Sequence, residues 1–306
     1  MTLKGPSGVH EQSDPTLSRG EVDPPLDERP GPVATTTLVI GQPGGWQALD
    51  VREIWRYRDL LYFLVWREVK VRYKQTVIGG AWAVLQPFMT MVVFSLIFGL
   101  LIDVPSDGVP YPVFSFAALV PWTFFATALA RGGNSLVQDP SLLSKVYFPR
   151  ITLPLAAVSS LLVDFAIAFV ILIGMMLVYG IVPGVAFLAL PLFVVLAYVT
   201  ALGVVFWLSA ANVKYRDINY VIPVLVQFWL FLTPIAYPSS LIPEEWRALY
   251  SLNPMVGVVE GFRWALLGTE SATSASLLVS AAAALLLFGS GMLYFRRMER
   301  EFADVV

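Results

Sequence analysis

Long apolar runs separated by short polar ones dominate the chain from residue 79 to residue 295. Six stretches qualify as membrane spans: roughly 79–102, 113–130, 152–181, 185–211, 218–236 and 275–295. A spanning helix needs about 20 apolar residues, each adding about 1.5 Å across about 30 Å of hydrocarbon. The ten-residue alternation of an outer-membrane barrel is absent, so the spans are predicted as helices. Across all six, Asp164 is the only charged residue. Ahead of the first span, Arg52, Arg56, Arg67, Lys70 and Lys74 fall within about 60° of one another at helical spacing, with Ile54, Leu61, Val65 and Val69 opposite. That predicts an N-terminal amphipathic helix at the membrane interface. The stretch 237–270 is long and partly apolar, and reads as two short external helices broken at Asn253-Pro254. The expected fold is therefore an all-α integral membrane protein with six transmembrane helices.

Composition sharpens this picture. Of 306 residues, 57% are hydrophobic and only 14% charged, with a mean hydropathy of +0.70. Soluble domains average about 25% charged residues, so a soluble enzyme is excluded on composition. The net charge of −2 argues against a nucleic-acid partner. Residues 1–50 hold three basic and seven acidic side chains, and the first 45 carry seven prolines and seven glycines. That is the composition of a disordered acidic tail. It lacks the basic start and apolar core of a signal peptide.

The placement of Lys and Arg predicts orientation. Fifteen of those after residue 50 fall before span one, between spans two and three, between spans four and five, or after span six. Only Arg247 and Arg263 fall on the other side. Both termini are expected in the cytoplasm, with the chain a multi-pass protein of the plasma (inner) membrane. No internal repeat is evident, which counts against an inverted-repeat carrier.

Catalytic equipment is sparse. There is no cysteine, and His10 is the single histidine. No glycine precedes any of the five lysines, so the phosphate-cradling loop of nucleotide-binding proteins is missing. Asp164 has no carboxylate partner in another span for paired-acid chemistry. No catalytic residue, metal site or bound cofactor is expected. An integral membrane enzyme acting on a lipid-linked substrate remains the weaker alternative, its acidic candidates being Glu244, Glu245, Glu260 and Glu270 in the external loop.

Several blocks then become specific. Arg72-Tyr73-Lys74-Gln75 with Gly79, Trp82 and Gln86-Pro87 opens the series, followed by Val120-Pro121-Trp122 and by residues 139–150, DPSLLSKVYFPR. Asn212-Val213-Lys214-Tyr215-Arg216-Asp217, Thr233-Pro234-Ile235-Ala236-Tyr237-Pro238, Leu252-Asn253-Pro254-Met255 and Gly261-Phe262-Arg263 complete it. Together, in this order over residues 51–306, they resemble the permease subunits of polysaccharide-exporting ABC transporters of the type-2 family. The resemblance implies export of lipid-linked O-antigen, capsule or teichoic-acid polymers by a homodimer. It also implies an ABC ATPase subunit docked beneath each copy, carrying ATP and Mg on the partner subunit rather than on this chain. Related permeases export drugs or lipids, which is the principal alternative cargo.

The resemblance assigns the coupling segment, and the placement of charges and rings supplies the other candidates. Asp139, Leu142, Leu143, Lys145, Phe148 and Arg150 lie in the segment corresponding to the coupling helix that presses on the ATPase. Ser141 or Asp139 can cap such a helix, and Pro140 and Pro149 bound it. Arg67, Lys70, Arg72 and Lys74 are placed to meet the phosphate of a lipid carrier. Trp82 and Phe88 of the first span, and Phe228, Trp229 and Tyr237 at the fifth, are either interfacial anchors or rings that stack on sugars along the translocation path. Asp164 either faces that path or is protonated or bonded to Ser159, Ser160 or a neighbouring helix.

Overall fold

The structure is a computed structural model that describes residues 55–74, 81–138, 148–269 and 274–299. Among them every regular element is helical. Helix α1 covers Arg58–Lys74 and α2 covers Ala81–Phe94, continuing as a wider π-type winding over Ser95–Leu101. Then come α3 (Tyr111–Gln138), α4 (Thr152–Val178), α5 (Leu190–Lys214) and α6 (Ile218–Phe231). Two short helices follow, α7 (Glu244–Tyr250) and α8 (Pro254–Leu267), and α9 (Ser274–Glu299) ends the described chain. The acidic stretch 1–50 lies outside the described residues.

Among the described residues, five segments are long and apolar enough to cross a membrane: Val84–Leu101, Tyr111–Gln138, Thr152–Val178, Val185–Lys214 and Ala275–Glu299. The expected fifth span differs. Helix α6 stops at Phe231 after 14 residues, about 21 Å, and the chain to Tyr237 is not helical. Pro234 explains the stop, because it lacks an N–H and disfavours helical geometry at Thr233.

The core is built around α3, which is 78% buried along its apolar window against 11% for α2. Its residues Val113 to Trp122 are buried on every side, as expected for a helix apolar all round. It packs against α4, α5 and α8, while α9 lies along α5. The α5–α9 contact is close: a Cβ on Gly291 would sit 2.2 Å from the Gly203 carbonyl oxygen, so only glycine fits.

The two short helices divide at Asn253-Pro254, as the sequence predicts. The Asn253 side chain accepts from the Met255 N–H at 3.0 Å and Pro254 occupies the first turn. Gly268 ends α8 at φ 67°, its N–H bonding the Trp264 carbonyl. Helix α8 is no surface cap, however. Nearly all of Pro254 to Leu266 is buried, wedged among α3, α5 and α9.

Candidate functional site

Two clusters of polar groups stand out among the described residues, one joining α1 to the first half of α4 and one around Arg263 on α8. The first centres on Asp164, about three turns into α4. Leu64 and Val69 of α1 are buried and α1 packs along α4. Arg67 and Glu68 border the same cavity as Leu153 and Ala156, while Arg72 reaches Ser160 and Asp164 two turns further on. The two helices therefore run side by side in the same direction.

Arg72 is an inward-facing cation of α1. It donates to the Asp164 carboxylate and, at 2.8 Å, to the Ser160 hydroxyl. Tyr73 donates its hydroxyl to the other Asp164 oxygen. Burial first, then that bond, pushes the Tyr73 phenol up to about 12, so it remains a donor at neutral pH. Both charged side chains are largely enclosed, at 11% and 19% exposure. A lone carboxylate at this depth is costly, and a guanidinium with two further hydroxyl bonds offsets that cost.

Beside this pair is a cavity of about 370 Å³ between α1, α3 and α4. Arg67, Glu68, Arg131, Ser135 and Gln138 form its polar side, and Leu64, Ala130, Leu153, Ala156 and Ala157 its apolar side. Arg67 donates to Glu68 at 3.2 Å.

The second cluster handles the broken fifth segment, where seven consecutive carbonyls have left the helix ladder. Each finds a donor. Tyr237 bonds the Phe231 carbonyl, Asn253 that of Leu232, and the Ile235 N–H that of Thr233. Arg263 on α8 donates to the carbonyls of Pro234 at 2.6 Å, Ile235 at 2.8 Å and Tyr237 at 3.4 Å. Tyr111 takes the Ala236 carbonyl at 2.6 Å. Arg263 also donates to the Phe114 carbonyl and lies 3.5 Å from the centre of the Phe114 ring. Irregular backbone survives inside a membrane protein only where protein groups satisfy it, and here one guanidinium takes three of the seven carbonyls.

The sequence-assigned residues scatter across this geometry. Arg67 and Arg72 turn toward α4, whereas Lys70 and Lys74 are exposed, Lys70 over the Trp66 ring. The four cations thus form no single face. Asp164 is bonded to α1, the neighbouring-helix alternative. Trp82 and Phe228 are exposed at 55% and 67%, and Phe88 is half-buried. Trp229 instead donates to Asn253 at 2.8 Å and packs on Phe125, and Tyr237 pairs with Tyr250. Of the coupling residues, Asp139, Leu142, Leu143 and Lys145 lie outside the described residues. Phe148 is half-buried, and the Arg150 backbone N–H donates to Glu299 at the end of α9.

Sequence reasoning counted Arg131 only as a topology marker, and Arg263 as that and as the last residue of the Gly261-Phe262-Arg263 block. A usable signal existed for Arg72: it lies about 140° from Arg67 around the helix, among the apolar positions, and so needs a buried anion. Asp164 was the one available.

Comparison with known proteins agrees with this architecture. The ABC-2 type transporter family matches residues 59–267, from the first turn of α1 to the end of α8. An O-antigen export system permease protein RfbA of Myxococcus xanthus is 30% identical over 259 residues, 84% of this chain and 98% of that protein. A permease of the same name from Klebsiella pneumoniae is 26% identical over 250 residues, 81% of this chain and 95% of its own. The polysialic acid transport protein KpsM of Escherichia coli is 23% identical over 234 residues, 76% and 91% of the two chains. The chain is a multi-pass helical membrane protein and belongs to the ABC-2 type transporter family.

Proposed function

We propose that the chain is the membrane-spanning permease subunit of an ATP-driven exporter of lipid-linked polysaccharide. The observation that carries this reading is the end-to-end likeness to polysaccharide permeases, up to 98% of the relative's length. Two copies enclose the path in the plasma (inner) membrane, both termini are cytoplasmic, and the α7–α8 hairpin faces outward. A separate ABC ATPase binds ATP and Mg and docks on residues 139–150. This chain carries no catalytic step.

In this arrangement the end bearing Arg67, Lys70 and Lys74 meets the carrier phosphate at the cytoplasmic leaflet. The exposed rings of Trp82 and Phe228 pass sugars by their apolar faces, which tolerates varied polymers. Trp229 and Tyr237 hold the α6 end to the α7–α8 hairpin rather than meeting cargo.

Depletion of the protein in its own cell tests the cargo. A glycan on an undecaprenyl-type lipid should accumulate at the cytoplasmic leaflet while surface glycan falls. Normal surface glycan with new sensitivity to an amphipathic drug would hand the function to the drug-exporting alternative. The ATPase partner has its own test: charge reversal at Lys145 and Arg150 with Phe148→Ala should abolish co-purification of an ATP-binding subunit.

A further inference from the structure

We propose that Asn212 is a positioning residue for transport: one N–H of its amide alternates between Asn134 on α3 and Asn219 on α6, and so ties or releases α6 when the end of α3 shifts. The inference rests on the proposed docking of an ATPase at residues 139–150, the chain that follows α3 directly. Three helix ends meet here: the last two turns of α3, the last turn of α5 and the first turn of α6. They approach closely because Gly133 has no side chain. A Cβ there would sit 2.7 Å from Ile222 of α6 and 3.4 Å from Leu208 of α5.

Asn212 is 1% exposed, and its Nδ2 faces three acceptors. These are the Gly133 carbonyl at 3.0 Å, Asn134 Oδ1 at 2.8 Å and Asn219 Oδ1 at 3.2 Å. An amide nitrogen carries two hydrogens, so three acceptors cannot all be filled at full strength. A carbonyl can only accept, so Gly133 fixes which way the amide points and keeps one hydrogen. Asn134 and Asn219 contest the other. Neither can turn its own donor inward without losing a bond, Asn134 to the Ala130 carbonyl and Asn219 to that of Arg216. The Asn212 Oδ1 has no hydrogen-bond partner among the described residues, so no bond on that side resists a small rotation of the amide. The shorter bond goes to Asn134, and α6 is held by the longer one. A shift of α3 that stretches the Asn134 bond hands the hydrogen to Asn219. Coupling between sites needs an element with two arrangements that both sites bias, and the contested hydrogen is such an element. Phe228, placed above on the cargo path, lies on the helix that it holds.

The test uses the full chain purified with its ATPase, and the depleted cell carrying each variant. Asn219→Ala removes the α6 acceptor at an exposed position, which spares folding. The complex and its ATP hydrolysis should persist while surface glycan falls about fivefold, the low end of coupling between sites. Asn219→Asp keeps an acceptor oxygen in place and should restore export. Asn212→Leu removes the donor and should uncouple at least as strongly, and the exposed Asn219 pair decides the matter independently of its folding. Parental surface glycan in Asn219→Ala, or no rescue by Asn219→Asp, would overturn the proposal. So would a loss of glycan that tracks a loss of assembled complex, which is what a purely structural contact gives. A parent chain that binds no ATPase would overturn the docking at residues 139–150, and the Asn212 role with it.

Discussion

Two enclosed arginines, Arg72 and Arg263, solve one problem in different ways. Arg72 meets a carboxylate, Asp164, on a regular helix. Arg263 has no carboxylate within ion-pair distance among the described residues. It is 3% exposed and answered by four backbone carbonyls and an aromatic face, with Glu260 one turn earlier adding electrostatic support. The first arrangement is a charge neutralised by a charge, so it binds two helices that are each complete. The second is a charge spent on dipoles, and it allows a helix to be incomplete. What Arg72 needs is an opposite charge; what Arg263 supplies is a fork of donors.

That difference predicts an order of damage. Arg263→Ala should be the worst single change. It strands several buried carbonyls at about 1–3 kcal/mol each, and we expect no folded, monodisperse chain on fluorescence-detected size exclusion. Arg263→Lys should recover little, because one ammonium cannot span the carbonyls of Pro234, Ile235 and Tyr237. Near-native behaviour of that variant would break the comparison.

Asp164→Asn comes next, removing the carboxylate that Arg72 and Tyr73 meet, at a cost of about 3–5 kcal/mol in thermal unfolding. Here the pair can be dissolved together. Arg72→Leu with Asp164→Leu should return to within about 1 kcal/mol of the parent, since buried ion pairs are often replaceable by apolar groups. A double variant as damaged as Asp164→Asn would show that the pair does more than cancel charge.

Asn253→Ala should cost about 1–2 kcal/mol, removing the α8 cap along with the bonds to Trp229 and Leu232. Tyr73→Phe should be mildest, about 1 kcal/mol, because Asp164 keeps its bond to Arg72. A Tyr73→Phe loss equal to that of Asp164→Asn would place the phenol, not the guanidinium, at the centre of the inner cluster.

Much of this protein was legible in its amino-acid order. Five apolar stretches became long helices at the expected places, because an unbroken run of about 20 apolar residues leaves the backbone few alternatives in lipid. The Asn253-Pro254 division was equally readable, since a capping side chain followed by proline is a local instruction. The fifth stretch came out shorter than expected because hydropathy counts apolar residues and not their backbone bonds. Residues 218–236 are apolar throughout, yet Pro234 ends the helix, and only Arg263, Tyr111 and Asn253, distant in the chain, make that end tolerable.

Site residues divide along the same line. That Asp164 needed a partner followed from one isolated charge in six apolar stretches. Its choice of Arg72 and Tyr73, some ninety positions away, required α1 to lie along α4. Arg131 and Arg67 became neighbours of one cavity for the same reason. Local composition determines which segments leave water, because transfer free energy is set residue by residue. Which buried charge meets which partner depends on helix packing, and packing is a property of the assembled bundle.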